Sequence, residues 1–428
     1  MPPSPLQQLQ QSLREATITP HQIAANSLAH SNTNANHNVY LAQSPADLEA
    51  QATTLEALDP TNRPPLYSIP ISLKDCFDLE GFVTSSGSRF YAGYNLPAST
   101  DSWVTAKLKA VGAVITGKTH LHQLAYGITG ENRDYGDCLQ PDNAALLTGG
   151  SSSGSAAAIQ EGSALAAIGT DTGGSVRAPA ALCGLAGYRA SLGVGDWLGG
   201  AHLAPSFDTI GWLCRDLRDI PLLAQALFDL PAAASSGPTP RVGVLRGELI
   251  ADCDASVIDA RDAWEERIRK AGAAIEDFYP EFWREAYEIY APIQAHEASQ
   301  LHIGFYDEFE PAIAERLRWG AAMEPAEVAG CRARHAIFVR QTAELFTRFD
   351  FLLMPVVPVP RLIAGADQSA TRPRILRYTT PASLAGLPAV VLPARPAGMQ
   401  LLAPRGRDAE LLAFADRLGG LLAAEVAS

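Results

Sequence analysis

The sequence contains no apolar run of about 18 residues, the length a helix needs to cross a bilayer. Its first stretch, MPPSPLQQLQQSLREATITP, has no basic segment followed by an apolar core. Neither membrane spanning nor secretion is supported, and the cytoplasm is the expected compartment. No CxxC pair occurs among the six cysteines, Cys76, Cys138, Cys183, Cys214, Cys253 and Cys331. Such wide spacing points to buried thiols in a reducing compartment rather than to a disulfide framework. Positive charge is also scarce, since 33 Lys and Arg against 46 Asp and Glu give a net charge of -13. That balance disfavours a phosphate-reading surface, so no nucleic-acid partner is expected. No histidine follows His335, and no internal repeat is present.

What is present is the composition of a globular protein, 428 residues with 47% hydrophobic and 18% charged, enough to bury a substantial core. Residues 1–60 read as N-terminal helices, with Leu6, Leu9 and Leu13 at helical spacing and the polar stretch SNTNANHN (31–38) as a loop. From Tyr67 strand and helix patterns alternate: YSIPISLKD as strand, DSWVTAKLKAVG as helix, AVITGKT as strand. Motif-bearing core segments occupy 65–230, a linker-like loop 231–240, and a helical elaboration 241–348 that restarts with the strand RVGVLR. On the elaboration's first helix, Val257, Ala260, Trp264, Ile268 and Ala271 share one face. Residues 349–428 return to the sheet through FDFLLMPVVPV and GLPAVVLPA and close with a helix from about Asp408. The expected fold is α/β, one large domain whose mixed central β-sheet has helices on both faces. In such sheets the chemistry sits where the strands end.

The stretch LLTGGSSSGSAAAIQ (146–160) admits three readings. A free linker would not run straight into a helix start, for which Ser153 or Ser155 offers an N-cap. A phosphate-binding loop needs a lysine and a hydroxyl directly after its last glycine, whereas Gly154 is followed by Ser155 and Ala156. Gly150 to Gly154 also fits G-x-S-x-G with Ser152 central, a nucleophile elbow that requires an acid and then a histidine downstream. A second motif, GTDTGGSVRAPAALCG (169–184), carries Ser175 on a turn behind Gly173 and Gly174. Two glycines there allow successive N–H groups to point at one place, the geometry of an oxyanion hole. Lys74 ends the apolar strand IPISLKD, where burial would favour a neutral amine able to act as a base.

These three elements together resemble the amidase signature family, from about Ser68 to Cys214 and again at TTPASLAGLPAVVLPA and LLAPRGRDAELL. The resemblance implies Ser175 as nucleophile, Ser151, preceded by a cis peptide bond, as bridging serine, and Lys74 as base. It further implies an oxyanion hole from the backbone N–H groups of Thr172, Gly173, Gly174 and Ser175, and no metal or cofactor. Asp171 and Arg177 would hold the loop in shape. Tyr126 matches positions lining the acyl side of the pocket, and Ser152 is a further substrate-side candidate. Serine at 153, where the family more often has glycine, marks a subgroup. His120 and His122 stand where many members have an Asn and an acidic residue; two ligands do not make a metal site.

Within the family, GEN, GGSSSGS and SFDTIGW look most like compact indole-3-acetamide and aryl-amide hydrolases. The resemblance therefore implies hydrolysis of a small, largely apolar primary amide, with the glutamine-hydrolysing subunit of a tRNA-dependent amidotransferase as alternative. A urea- or carbamate-type substrate would use the same residues. The expected partner is the small amide itself, with homodimerisation a general expectation for soluble enzymes.

Overall fold

The computed structural model describes residues 2–228, 230 and 239–427. The linker-like loop placed at 231–240 falls outside the described residues except for Thr239 and Pro240. The described strands are β1 (Tyr40–Ala42), β2 (Pro70–Lys74), β3 (Val114–Thr119), β4 (Leu139–Gln140), β5 (Asn143–Leu147), β6 (Ala166–Thr170) and β7 (Ala186–Arg189). They continue with β8 (Ile210–Cys214), β9 (Arg241–Leu245), β10 (Ala274–Phe278), β11 (Phe351–Pro355), β12 (Leu362–Ile363), β13 (Ala389–Leu392) and β14 (Met399–Leu402).

Eleven of them form one sheet in the order β1-β3-β2-β6-β8-β7-β13-β14-β11-β9-β10, while β12, β5 and β4 make a small separate ribbon. The sheet is mixed. Strands β3, β2 and β6 run parallel on one side and β11, β9 and β10 on the other. Antiparallel pairs join the two groups through β8, β7, β13 and β14. Every residue of β2, β3 and β6 is buried, as parallel strands covered by helices on their faces require. Because β2 and β6 are parallel neighbours, Lys74 and Thr170 finish side by side at the carboxyl edge of the sheet.

Helices flank the sheet. The most deeply placed, Ser153–Glu161, has all nine residues buried. This explains the composition that imitates a linker: Gly, Ser and Ala are the side chains small enough for a helix passing through the core. Ser155 Oγ donates to the Ile168 carbonyl of β6, and a Cβ on Gly154 would lie 2.2 Å from Val39 O and 2.5 Å from His120 N. The helix starts earlier than the capping pattern suggested, with Ser152 rather than Ser153 or Ser155 at the N-cap.

The helical segment gathers around a second core containing Trp283, Tyr290, Phe338 and Tyr378. Its helices Pro311–Ala321 and Pro325–Leu345 and the later helix Thr371–Leu384 pack on Ala286–Leu301. Val257, Ala260, Trp264 and Ile268 are buried as their spacing predicts, while Ala271 is the C-cap. Five of the fourteen described strands, β2, β3, β9, β11 and β13, fall in the segments expected to be strand; the others were not anticipated, among them β1 and β10, one at each edge of the sheet. Each pairs on one side only; β1 is just three half-buried residues, YLA, and β10, with sequence AIEDF, leaves three of its five residues exposed. The polar stretch 31–38 is helical at its start, because Pro20–Thr33 runs into it, and Ala35–His37 forms a single 3-10 turn.

Two glycine replacements should move stability in opposite directions. Gly154→Ala forces a methyl against backbone atoms that cannot rotate away and should cost about 1–3 kcal/mol. Gly330→Ala, on the exposed face of Pro325–Leu345 with nothing within 4 Å of the added carbon, should gain up to about 1 kcal/mol. Urea denaturation of both variants checks the pair.

Candidate active site

Lys74 is fully buried, and its ammonium has no carboxylate within ion-pair distance among the described residues. Nζ donates to Ser151 Oγ at 2.7 Å and to Thr170 Oγ1 at 2.7 Å. The adjacent Asp75 belongs to Lys118, 2.7 Å away and equally buried, and its other oxygen accepts from the Ser85 hydroxyl. Burial lowers the Lys74 amine from 10.5 to about 8, with Cys76, Asp171 and Asp208 pulling weakly the other way. Desolvation wins because no counter-ion touches the amine.

Ser151 follows a cis peptide bond after Gly150. Its carbonyl accepts from His122 N at 3.2 Å and from Ser153 Oγ at 3.2 Å. The neighbouring Ser152 joins the two serine loops: its N–H donates to Ser175 O at 3.1 Å and its Oγ to Thr170 O at 3.3 Å. That hydroxyl, expected on the substrate side, is instead fully buried between loop and strand.

The Ser175 loop is built on Asp171. Its carboxylate accepts from the N–H groups of Gly174, Val176 and Arg177 and pairs with Arg177 at 2.9 Å and Arg189 at 3.0 Å, all three side chains fully buried. Burial alone would raise this carboxyl, yet the two guanidinium groups hold it well below the usual carboxylate range. Arg177 continues to Thr379 O, Gln400 Oε1 and Ser383 Oγ, tying the loop to β14 and to the helix Thr371–Leu384. The Gly174 N–H, expected as one of four oxyanion donors, is turned to Asp171 Oδ1 at 2.8 Å, because the aspartate folds back under its own turn. The N–H groups of Thr172, Gly173 and Ser175 have no acceptor among the described residues. Gly174 has φ of 119°, and a Cβ there would meet the Thr379 side chain at 2.7 Å, so only glycine fits. Ser175 is 3% exposed, and its hydroxyl bonds to no described residue.

Tyr126 lies in the adjoining wall, 2% exposed, its ring beneath the Arg316 guanidinium at 4.7 Å. Sequence reasoning missed the rest of this wall. Tyr290 on Ala286–Leu301 places its hydroxyl where a Gly173 Cβ would come within 2.4 Å, and it accepts from Gln294 Nε2. Arg372 stands on the helix whose Thr379 hydroxyl donates to Gly173 O at 2.5 Å. Thr170 and Asp208 were also missed. Thr170 had a readable signal, since it ends the strand that leads into GTDTGG. Asp208 accepts from Thr172 Oγ1 and from His202 Nδ1. The two candidate histidines face different partners: His120 meets Ser153 Oγ and Gly136 O, and His122 meets Glu310 Oε1 at 3.2 Å. Burial lowers His120 to about 4, so it is a neutral hydrogen-bonding residue.

A buried lysine facing one serine, with a second serine on a glycine turn beside it, sits at the carboxyl edge of a mixed sheet. The chain belongs to the Amidase family, whose model matches residues 22–412, and is an amide C–N hydrolase. It is 30% identical over 384 residues to the 2-amino-5-chloromuconic acid deaminase of Comamonas testosteroni, covering 82% of this chain and 81% of that protein. It is 33% identical over 405 residues to a glutamyl-tRNA(Gln) amidotransferase subunit of Thermus thermophilus, covering 83% of this chain and 85% of that protein. A crystal structure of an amidase superposes with a TM-score of 0.88 at 26% identity, over 97% of this chain and 99% of that one.

Asp171→Asn tests the loop's support. It leaves two buried guanidinium groups without their shared anion and should destabilise the fold by about 3–5 kcal/mol, read as a lowered midpoint in chemical denaturation.

Proposed function

We propose that Ser175 is the nucleophile, Ser151 the proton carrier and Lys74 the base in hydrolysis of a small amide to a carboxylate and ammonia or amine. The observation that carries this reading is the Lys74 amine, buried without a counter-ion and 2.7 Å from Ser151 Oγ. Neutral Lys74 takes the Ser151 proton as Ser151 Oγ takes that of Ser175, whose oxygen attacks the amide carbon. Charge on the tetrahedral oxygen falls to the N–H groups of Thr172, Gly173 and Ser175, each such donor worth on the order of 3 kcal/mol. Collapse breaks the C–N bond as Ser151 returns the proton to the leaving nitrogen, and water then cleaves the acyl-enzyme ester. The Ser151–Ser175 hydrogen bond forms as substrate fills the site, since catalytic hydrogen bonds tighten in the bound complex.

Tyr126 and Tyr290 around the loop support the finer expectation of a flat substrate, aryl amides among them. They do not support a wholly apolar one, because Arg316 and Arg372 stand in the same wall. The relative named as part of a glutamyl-tRNA(Gln) amidotransferase keeps glutamine as a second substrate to test, and the relative named a deaminase keeps small amino acids of the muconic type.

The test is ammonia release from indole-3-acetamide, phenylacetamide, benzamide, a short aliphatic amide and glutamine. Ser175→Ala should lose on the order of 10⁴-fold or more in kcat, with Lys74→Ala comparably impaired, as for residues that act as one unit. Turnover of glutamine alone, and only in the presence of a partner protein, would favour the transamidation reading. Because the reactive form of Lys74 is the neutral one, kcat/KM should rise about tenfold per pH unit up to about pH 8 and level off above it. A profile flat down to about pH 5 would remove Lys74 from the mechanism.

A further inference from the structure

The wall opposite the nucleophile loop holds two arginines that the hydrolysis does not use. Arg316, on Pro311–Ala321, donates one Nη2–H to Tyr126 O at 2.7 Å and lies over that ring, and its Nε is buried without a partner. Arg372 has only a long 3.5 Å contact from Nη1 to the Tyr287 hydroxyl, and its Nε too is buried and unpartnered. Neither guanidinium makes an ion pair among the described residues. Their neighbours behave otherwise. Arg374 and Arg377, on the same helix as Arg372, both pair with Asp252, and the buried Arg177 and Arg189 share Asp171.

The anions nearby are already engaged. Glu310 faces His122, Asp208 holds His202 and Thr172, and Asp171 holds its own two arginines. Burial first, and then the charge of Arg372, lower the Arg316 guanidinium to about 10, with Glu310 opposing them from a position outside ion-pair distance, so the two cations sense each other. Two half-buried, like-charged groups, each with a buried Nε lacking a partner, are costly unless a ligand supplies the counter-ion. The donors present a fork suited to a carboxylate. The position suits a substrate as well. Tyr126 senses both arginines, Tyr290 senses Arg372 and touches the Gly173 position, and Arg372 is two helical turns, about 10 Å, before Thr379 at the loop.

We propose that Arg316 and Arg372 form a carboxylate subsite, so that the amide cleaved is part of a molecule bearing a carboxylate at its other end, as in the monoamide of a short dicarboxylic acid. The proposal rests on the hydrolytic reading for where the amide lies, but not for whether the anion binds.

The test uses Ser175→Ala, which holds ligands without turning them over, titrated by calorimetry with matched pairs: succinamate against butyramide, glutaramate against valeramide, and 4-carbamoylbenzoate against benzamide. At least one carboxylate should bind about tenfold or more tighter than its neutral partner. That preference should fall to under about threefold in Ser175→Ala/Arg372→Gln and in Ser175→Ala/Arg316→Gln, and be intermediate with Arg372→Lys, with thermal melting confirming each fold. Equal binding within every pair, no binding of any carboxylate at 10 mM on the order of weak-ligand affinities, or a preference that survives both arginine replacements would overturn the subsite. Ammonia release by the unmutated enzyme from the same compounds is read separately. A carboxylate preference without ammonia from any of them leaves the subsite standing and counts against the hydrolysis proposed above.

Discussion

The Lys74 amine is surrounded by protein with no anion in contact, and the rest of the site is arranged so that this remains true. Three carboxylates are close to it in sequence or space, and all are engaged elsewhere, Asp208 by Thr172 and His202. Asp75, the next residue, pairs with Lys118, which is held in β3 beside β2. Asp171, at the end of β6, pairs with Arg177 and Arg189. Desolvation is therefore the dominant influence on Lys74, and it favours the neutral amine that the proposed chemistry needs. Two hydroxyls, from Ser151 and Thr170, are the hydrogen-bond partners left to it.

Asp171 has a second consequence. By accepting three backbone N–H groups it curls the chain so that the Ser175 hydroxyl and the N–H groups of Thr172, Gly173 and Ser175 are left without partners among the described residues. The serine-rich stretch completes the arrangement from the other side, since Ser152 ties its own backbone to Ser175 and its hydroxyl to Thr170. Small residues make this possible, because at Gly154 the helix that follows lies so close to Val39 O and His120 N that even one added carbon would collide. The stretch is thus neither linker nor phosphate loop.

Much of this was legible in the sequence, and for identifiable reasons. The inner strands β2 and β3 are legible because short apolar stretches, IPISL and AVI, open them between turn residues, and motif residues lie next to their ends in the chain. The family resemblance then matched Lys74, Ser151 and Ser175 to their positions before any geometry was known. What was not legible came from pairings between distant segments. Of the edge strands, β1 is too short at three residues to stand out and β10 has too little apolar pattern. The Gly174 N–H was assigned to the oxyanion site because sequence cannot show that a side chain three residues earlier folds back onto it. Tyr290, Arg316 and Arg372 come from helices with no local motif, and only tertiary packing brings Tyr290 to Gly173 and Arg316 to Tyr126. Arg316 and Arg372 were hidden for the same reason, since they are far from the motifs in sequence.

The proposed chemistry requires Lys74 to be neutral at a mildly alkaline pH, as its burial without a counter-ion favours. The chain has five lysines, Lys74, Lys107, Lys109, Lys118 and Lys270, so an NMR titration of lysine labelled at the ε-carbon would show few signals, with Lys74 assigned by its loss in Lys74→Met. A midpoint for Lys74 near 8 is the predicted result. A midpoint at or above the 10.5 of an ordinary lysine would contradict it, and with it the role of Lys74 as the base.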